Sequence, residues 1–284
     1  MHAYAWTSSW SNDDLWIVDH AAELGLDAIE IPLMEPDKVD PAAIAKRAEA
    51  CGLEVLTSLA LPDGADPASE EERERRRGLE LLRRCVDLTA DMGATILTGV
   101  VYSTIGKRID RRPDDGDYER AAGVLREAAR HARERAVTIG TEPVNRYETY
   151  LVNTGAQGLR LLELTGEPNV GLHLDAYHMN IEEDDFYEAT RAAVPHLVHF
   201  HLSESHRGVP GSGTVDWEAI LRALADGGYT GFVGLESFVE ASPAMQAATY
   251  VWRAVAPDSD TLVRDGLAFL KDIERSIDTN RKES

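Results

Sequence analysis

Short apolar segments alternate with longer amphipathic segments along the whole chain of 284 residues. Several apolar segments are continuous runs, which is typical of parallel strands buried on both faces of a sheet. The pattern predicts strands at residues 3–7, 28–33, 54–60, 95–100, 137–142, 170–175, 197–202 and 231–236. It predicts helices at residues 13–24, 41–51, 69–92, 118–135, 154–164, 185–194, 217–226 and 260–276.

This alternation of strands and helices implies a parallel sheet. Eight such units in one chain favour a closed (β/α)8 barrel, the TIM barrel, over an open doubly wound sheet. A Rossmann-type sheet should carry a glycine fingerprint after an early strand, whereas the nearest match, residues 208–213, comes late and has the wrong spacing. No Pro- or Ser-rich linker divides the chain, so we expect a single TIM-barrel domain over residues 1–284, with residues 279–284 as a frayed tail.

The charge balance limits the partners of such a barrel. The chain has 50 acidic and 29 basic residues, which gives a formal net charge of −21. This surface repels phosphate backbones and anionic headgroups, so we expect no nucleic-acid partner and no membrane partner. Two cysteines, Cys51 and Cys85, are too few for a disulfide framework. We find no signal-peptide pattern and no apolar run of membrane-spanning length, so a cytoplasmic location is the expectation.

Chemically active residue types stand at the ends of the last four predicted strands. The C-terminal ends of the strands form the active-site face of a TIM barrel, and here they bring Glu142, Asp175, His201 and Glu236 to one mouth. Three carboxylates and an imidazole are a ligand set for a divalent cation such as Mn²⁺, Mg²⁺ or Co²⁺. Without a cation, the carboxylates would repel one another. We therefore predict one metal ion at these residues, although any one carboxylate alone could be a helix N-cap or a surface charge.

Other polar residues surround these four positions. His173 and His199 precede two predicted ligands by two residues and lie about 6–7 Å deeper at the usual rise of a strand. We expect them to be satisfied interior groups behind the ligands, too deep to share a metal ion at the mouth. Glu148, His178 and Arg207 lie in loops just past the strand ends. These side chains suit the recognition of hydroxyl and carbonyl groups, although each could also be an ordinary loop residue.

Several of these segments carry a family resemblance. Residues 142–150 (EPVNRYETY) resemble the E-x-x-N-R-[FY]-E segment of ketose 3-epimerases, the group of D-tagatose 3-epimerase and D-allulose (D-psicose) 3-epimerase within the xylose-isomerase-like TIM barrels. Residues 174–183 resemble L-D-T-[FY]-H-M-N-I-E-E, and residues 199–207 resemble H-x-H-x-x-E-x-[NH]-R. Residues 213–217 and 236–238 continue the similarity, which extends from the first strand to the last helix.

The resemblance implies a metal-dependent epimerisation of free ketoses at C3. It implies that Glu142, Asp175, His201 and Glu236 bind one divalent metal ion, with Mn²⁺ the first expectation and Co²⁺ or Mg²⁺ the alternatives. It implies that Glu142 and Glu236 are also the catalytic pair, which exchanges the C3 proton through a metal-stabilised enediolate. The implied substrate pairs are D-tagatose/D-sorbose, D-fructose/D-allulose and L-ribulose/L-xylulose.

The resemblance also concerns binding and assembly. Glu148, His178 and Arg207 match the residues that hold the O1–O3 end of the ketose. One departure is Ala176, where the family segment usually has threonine, and the early loops match less closely. These departures concern the choice of substrate more than the chemistry. The family resemblance also implies a homodimer or a homotetramer.

Other functions stay open at this point. An aldose–ketose or hydroxypyruvate-type isomerase uses the same barrel. A sugar phosphate is an alternative substrate, because late loops of such barrels often bind phosphate and Arg207 with residues 211–213 could form an anion cradle. The related endonuclease IV fold needs a basic DNA-facing surface, against which the charge argues. A non-catalytic sugar-binding barrel should lack one of the paired glutamates, and both are present.

Overall fold

The computed structural model describes residues 1–282, in which strands and helices alternate. The strands are β1 (Ala28–Pro32), β2 (Glu54–Leu61), β3 (Ile96–Thr104), β4 (Thr138–Thr141), β5 (Val170–Asp175), β6 (Leu197–Leu202) and β7 (Phe232–Leu235). The helices are α1 (Trp16–Glu23), α2 (Pro41–Cys51), α3 (Glu72–Asp91), α4 (Asp115–Glu134), α5 (Gly155–Thr165), α6 (Ala176–Glu182), α7 (Phe186–Ala193), α8 (Trp217–Gly227), α9 (Pro243–Thr249) and α10 (Ser259–Lys282).

All neighbouring strands pair in parallel, in the order of the chain from β1 to β7. His2 lies between the first and the last of them. It forms a parallel bridge with Glu30 of β1, and its main-chain N–H donates to the carbonyl oxygen of Leu235 at 3.0 Å. The sheet is therefore a nearly closed barrel surrounded by helices, and the predicted (β/α)8 class is confirmed.

The predicted strand at residues 3–7 is wrong. Ala3–Ala5 form a 3-10 helix instead. The ring Nδ1 of His2 accepts a hydrogen bond from the main-chain N–H of Tyr4 at 3.1 Å, and the N–H of Trp6 donates to the carbonyl oxygen of Ala3 at 3.0 Å. Because these N–H groups are used within the turn, the pairing of the described N-terminal residues with β1 is limited to Met1 and His2, where the N–H of Glu30 donates to the carbonyl oxygen of Met1 at 3.0 Å.

The helices begin and end at recognisable signals. Helix α2 has Pro41 in its first turn, an N-cap at Asp40 whose side chain accepts from Ala43 N–H, and a left-handed Gly52 at its end. Helix α10 continues to Lys282, so the first four residues of the predicted tail at 279–284 are helical and the last two lie outside the described residues.

The helices bury their apolar faces against the barrel. On α4, Ala121, Leu125, Ala128 and Ala132 recur every three or four residues and are fully buried. The small side chains of the three alanines allow the helix to pack closely against β3 and β4. Among the residues that the structure describes, no helix combines the length and the apolar character needed to cross a membrane.

Candidate functional site

The barrel topology places the predicted ligands side by side. Asp175 is the last residue of β5, and the β5–β6 register pairs it directly with His201. Glu142 follows β4 by one residue, and Glu236 follows β7 by one residue. The chain therefore delivers these side chains to the same end of four consecutive strands.

Three of these four residues form a close group. One carboxylate oxygen each from Glu142 and Asp175 and one ring nitrogen of His201 lie within 4.8 Å of one another. Glu236 is not part of that group within the described chain, but its Oε1 lies 3.5 Å from Nδ1 of His201. This Nδ1 is buried and has no hydrogen-bond partner among the described residues, so its lone pair can serve as a ligand.

The buried carboxylates are electrostatically crowded. Burial raises the pKa of Glu142 well above its ordinary value, and the nearby carboxylates of Glu236 and Asp175 add to this effect. Burial also raises the pKa of Asp175, to about 7, although Arg207 opposes the shift. Burial alone would raise the pKa of Glu236 too, but Arg207 and His201 outweigh it and leave the pKa below its usual value. Clustered acidic groups of this kind favour a bound cation.

The donor set fits a divalent metal ion. Two carboxylates and an imidazole nitrogen without a hydrogen-bond partner among the described residues converge in a buried place, with a third carboxylate beside the imidazole. Oxygen donors with one nitrogen suit hard-to-borderline cations. Glu142, Asp175, His201 and Glu236 are thus the residues that could hold the metal.

The two inner histidines match the prediction only in part. Ring nitrogens of His173, His199 and His201 also lie within 4.8 Å of one another, because the rings lean together, with the centroids of His173 and His201 4.1 Å apart. The inner rings therefore approach the ring of His201, although among the described residues neither His173 nor His199 belongs to the close group of Glu142, Asp175 and His201. His199 is satisfied, since its Nε2 lies 3.0 Å from Oε2 of Glu30 and its Nδ1 lies 3.2 Å from the carbonyl oxygen of Phe232. His173 is not, because neither ring nitrogen has a partner in the described chain.

Arg207 reaches into the carboxylate group. Its Nη1 donates to Oδ2 of Asp175 at 2.7 Å and also to Oε2 of Glu236. Its guanidinium lies over the ring of Tyr177, 3.8 Å from the centroid. The residue has a left-handed backbone with φ of 63° and is held there by its N–H, which donates to the carbonyl oxygen of Glu204 at 2.7 Å. A strained loop thus carries this arginine to the barrel mouth.

His178 and Glu148 are organised by a common neighbour. The main-chain N–H and the side-chain Nδ2 of Asn145 both donate to Nδ1 of His178, at 3.1 and 2.8 Å. Nδ1 is therefore an acceptor, and the ring hydrogen is on Nε2, which lies 3.7 Å from Oδ2 of Asp175. Nδ2 of Asn145 also donates to Oε1 of Glu148 at 2.9 Å, and burial raises the pKa of that carboxyl.

These side chains surround one cavity of about 300 Å³. Glu142, Glu148, His178, Arg207 and Glu236 line its polar part. Its apolar walls include Met34, Val100, Ile105, Val144 and Phe238. The volume is at the lower end of the range of small-molecule sites.

Comparisons with known proteins identify the family. The family model for xylose isomerase-like TIM barrels matches residues 18–273. A ketose 3-epimerase of Arthrobacter globiformis is 37% identical over 281 residues, which are 98% of this chain and 97% of that protein. The chain belongs to the ketose 3-epimerase family. An L-ribulose 3-epimerase of Mesorhizobium japonicum is 35% identical, over 95% of this chain and 92% of that protein.

Solved structures of ketose 3-epimerases agree with this assignment. The structure of an L-ribulose 3-epimerase has a TM-score of 0.95 and 33% identity, over 99% of this chain and 96% of that chain. A D-allulose 3-epimerase from Methylomonas sp. in complex with D-allulose has a TM-score of 0.91 and 35% identity, over 95% of both chains. This family member is therefore an isomerase, of the carbohydrate epimerase class.

Sequence reasoning missed two polar residues in this ketose 3-epimerase family member. Asn145 lies between the two glutamates of the segment at residues 142–150 and contacts both His178 and Glu148. Glu30 is a fully enclosed carboxylate in the middle of β1, and its Oε2 lies 2.8 Å from Nε2 of His201. The signal for Glu30 was a single acidic residue inside an otherwise apolar strand (AIEIP).

Proposed function

We propose that this chain catalyses the metal-dependent epimerisation of a free ketose at C3. The observation that carries the proposal is that Glu142 and Glu236 line the same cavity, beside His178 and Arg207. Inversion of a carbon centre needs two such groups, because a single base returns the proton to the face from which it was taken. Isomerisation between an aldose and a ketose needs no second group on the opposite face.

The metal site would use Glu142, Asp175, His201 and Glu236, with Mn²⁺ as the first expectation and Co²⁺ or Mg²⁺ as alternatives. When bound, a divalent cation supplies Lewis acidity toward the substrate oxygens, which acidifies the C3 proton. The free Nδ1 of His201 and the crowded carboxylates support this role.

The two glutamates move the proton. One carboxylate takes the proton from C3 on one face, and the other returns a proton to the opposite face, so their roles exchange in the reverse reaction. Both main chains are anchored: Oη of Tyr102 donates to the carbonyl oxygen of Glu142 at 2.8 Å, and Oγ of Ser203 donates to that of Glu236 at 2.9 Å. Anchoring the main chain limits the movement of each glutamate relative to the barrel, which favours a constant position of the carboxylate.

The remaining polar residues hold the substrate. His178 offers the hydrogen on Nε2 and Arg207 offers its guanidinium to the oxygens at the O1–O3 end, where negative charge develops during proton removal. Glu148 accepts from a substrate hydroxyl. L-ribulose and D-allulose, which relatives of this chain act on or bind, are the first ketoses to test.

A non-phosphorylated substrate is supported by the loop after β6. The carboxylate of Glu204 accepts hydrogen bonds from the N–H groups of Gly211 at 2.8 Å and Val215 at 3.2 Å, and from Nε1 of Trp217 at 3.0 Å. Glu204 thus fills the anion cradle that the sequence suggested for a phosphate. Arg207, the other part of that cradle, is turned toward Asp175.

The test is incubation of the Mn²⁺-loaded protein with free ketoses in deuterated water, followed by NMR. The proposal predicts a C3 epimer with deuterium at C3, and no product after treatment with EDTA. An aldose with deuterium at C1 or C2 would instead indicate an isomerase. The homodimeric or homotetrameric state and the cytoplasmic location stay predictions, and light scattering tests the first of them.

A further inference from the structure

A carboxylate lies behind the candidate metal site, on the far side of one of its ligands. Glu30 of β1 is 3% exposed, and its Oε2 lies 2.8 Å from Nε2 of His201 and 3.0 Å from Nε2 of His199. Its Oε1 faces Nε2 of His2 at 3.7 Å and has no hydrogen-bond partner among the described residues. Glu30 itself does not line the substrate cavity.

The contact between Glu30 and His201 determines where the ring carries its hydrogen. A carboxylate oxygen at 2.8 Å is an acceptor, so the hydrogen of His201 lies on Nε2. Nδ1 can then present its lone pair, and Nδ1 is the atom that lies 3.5 Å from Oε1 of Glu236 without a partner of its own. One side of the imidazole is thus held by Glu30, and the other faces the group of ligands.

We propose that Glu30 is a positioning residue, which holds His201 in the tautomer and ring orientation that a metal ligand requires. The inference rests on the proposed function, because it assumes a divalent metal ion at Glu142, Asp175 and His201. Carboxylates that accept from the second nitrogen of a ligating histidine orient the ring and increase its basicity. Glu30 acts through His201 and touches neither the substrate nor the reacting atoms.

The position of Glu30 supports this role better than that of a general stabilising charge. Its bridge with His2 lies where the barrel nearly closes, so that Glu30 faces β6 across the interior. The carboxylate meets two histidines there, and only His201 also reaches Glu142 and Asp175. A purely structural buried charge would affect the free energy of unfolding and leave the affinity for metal unchanged.

The first experiment measures Mn²⁺ affinity by isothermal titration calorimetry for the wild-type protein and for Glu30→Gln. The amide has the same size but can offer either an N–H or an oxygen to His201, so it no longer selects one tautomer. We expect Mn²⁺ binding to weaken about 10- to 100-fold, the usual effect of removing such a partner. Affinity within twofold of the wild-type value would overturn the proposal.

A matched control is Glu167→Gln. It also removes one negative charge and breaks contacts with two arginines, Arg130 at 2.8 Å and Arg133 at 2.7 Å, none of which line the substrate cavity. We expect its Mn²⁺ affinity to equal that of the wild-type protein. Equal weakening in both variants would show an effect of net charge and would overturn the specific role of Glu30.

A second measurement needs no variant and no activity. NMR of the wild-type protein labelled with ¹⁵N-histidine, with Mg²⁺ and without metal, reports which ring nitrogen of His201 carries hydrogen. We expect a hydrogen on Nε2 under both conditions, and a bare Nε2 would overturn the proposal. If the wild-type protein bound none of Mn²⁺, Co²⁺ and Mg²⁺, the proposed function would be refuted. The role of Glu30 in positioning His201 as a metal ligand would be refuted with it. Binding by the wild type with a bare Nε2 would refute only the role of Glu30.

Discussion

Arg207 donates a hydrogen bond from Nη1 to Oδ2 of Asp175 at 2.7 Å, and the same Nη1 contacts Glu236. A residue that sequence similarity associates with substrate binding is therefore hydrogen-bonded to two candidate metal ligands. The guanidinium also lies against Tyr177, so its position is determined on several sides. The proposed substrate-binding arginine and the candidate metal ligands are thus parts of one hydrogen-bond network.

The first prediction concerns the geometry of this guanidinium. In Arg207→Lys the positive charge remains, but the planar group that contacts Asp175 and lies over Tyr177 is lost. We expect kcat/KM for L-ribulose or D-allulose to fall about 100-fold, which corresponds to about 2.7 kcal/mol. Steady-state kinetics at saturating Mn²⁺ measure this. A fall of less than threefold would show that charge alone suffices.

The second prediction concerns Asn145. In Asn145→Ala, His178 keeps its bond from the main-chain N–H but loses the side-chain donor, and Glu148 loses its partner. Because both neighbours are proposed to hold the substrate, we expect KM to rise about tenfold, with a smaller change in kcat. The control is Asn169→Ala. In the wild-type protein, Nδ2 of Asn169 donates to the carbonyl oxygens of Ala129 and Val137. An equal effect on KM in the control would refute the assignment.

The polar residues illustrate how far a sequence can be interpreted. Glu142, Asp175 and Glu236 were found because each lies at or next to the end of a strand, which is a local property of the chain. The partner of Glu30 was not predictable, since it depends on which residue of β6 faces β1 across the barrel. That relation is set by the packing of distant segments.

The secondary structure also separates into elements that the local sequence predicts and elements that it does not. Buried apolar runs predicted β5 and β6 with their observed bounds, because strands covered on both faces leave a continuous apolar pattern. Helix α6 was missed, since it spans seven residues, starts directly after Asp175 and is too short for a helical period to show. The strand predicted at residues 3–7 is absent because the main-chain N–H groups there form hydrogen bonds within the 3-10 helix at Ala3–Ala5.

The third prediction concerns the loop after β6. Glu204→Gln replaces a buried carboxylate oxygen by an N–H group, so that donors such as the N–H of Gly211 or Nε1 of Trp217 lose their acceptor. We expect the free energy of unfolding to fall by about 1–3 kcal/mol, as measured in urea. Glu163→Gln, at an exposed position of α5, should change it by less than about 0.5 kcal/mol. An unchanged urea midpoint of unfolding for Glu204→Gln would contradict the claim that the Glu204 carboxylate stabilises this loop by accepting its hydrogen bonds.

The fourth prediction concerns pH and Asp117, which receives hydrogen bonds from Nη1 and Nη2 of Arg111 at 2.6 and 2.8 Å. The hydrogen bonds from Arg111 lower the pKa of Asp117 below its ordinary value of 3.8, although burial opposes this. A lowered native pKa stabilises the fold above the unfolded pKa, and that contribution is lost as pH falls through the native pKa.

Asp117→Asn should therefore destabilise the protein at pH 7, by about 1 kcal/mol because Arg111 is partly exposed and screened. The difference from the wild-type protein should persist down to the ordinary pKa of 3.8 and shrink below it. Urea unfolding of both proteins at pH 7 and at acidic pH measures this. If the difference in the free energy of unfolding grew on acidification, it would contradict the lowered pKa of Asp117.

The most direct test of the central claim compares Glu142→Gln and Glu236→Gln with the wild-type protein, each loaded with Mn²⁺, on L-ribulose and D-allulose in deuterated water. The account predicts that the wild-type product carries deuterium at C3, and that each variant loses epimerisation by at least about a thousandfold. Calorimetry of the same samples establishes that Mn²⁺ is bound. Epimerisation near the wild-type rate in either metal-loaded variant would contradict the two-glutamate mechanism.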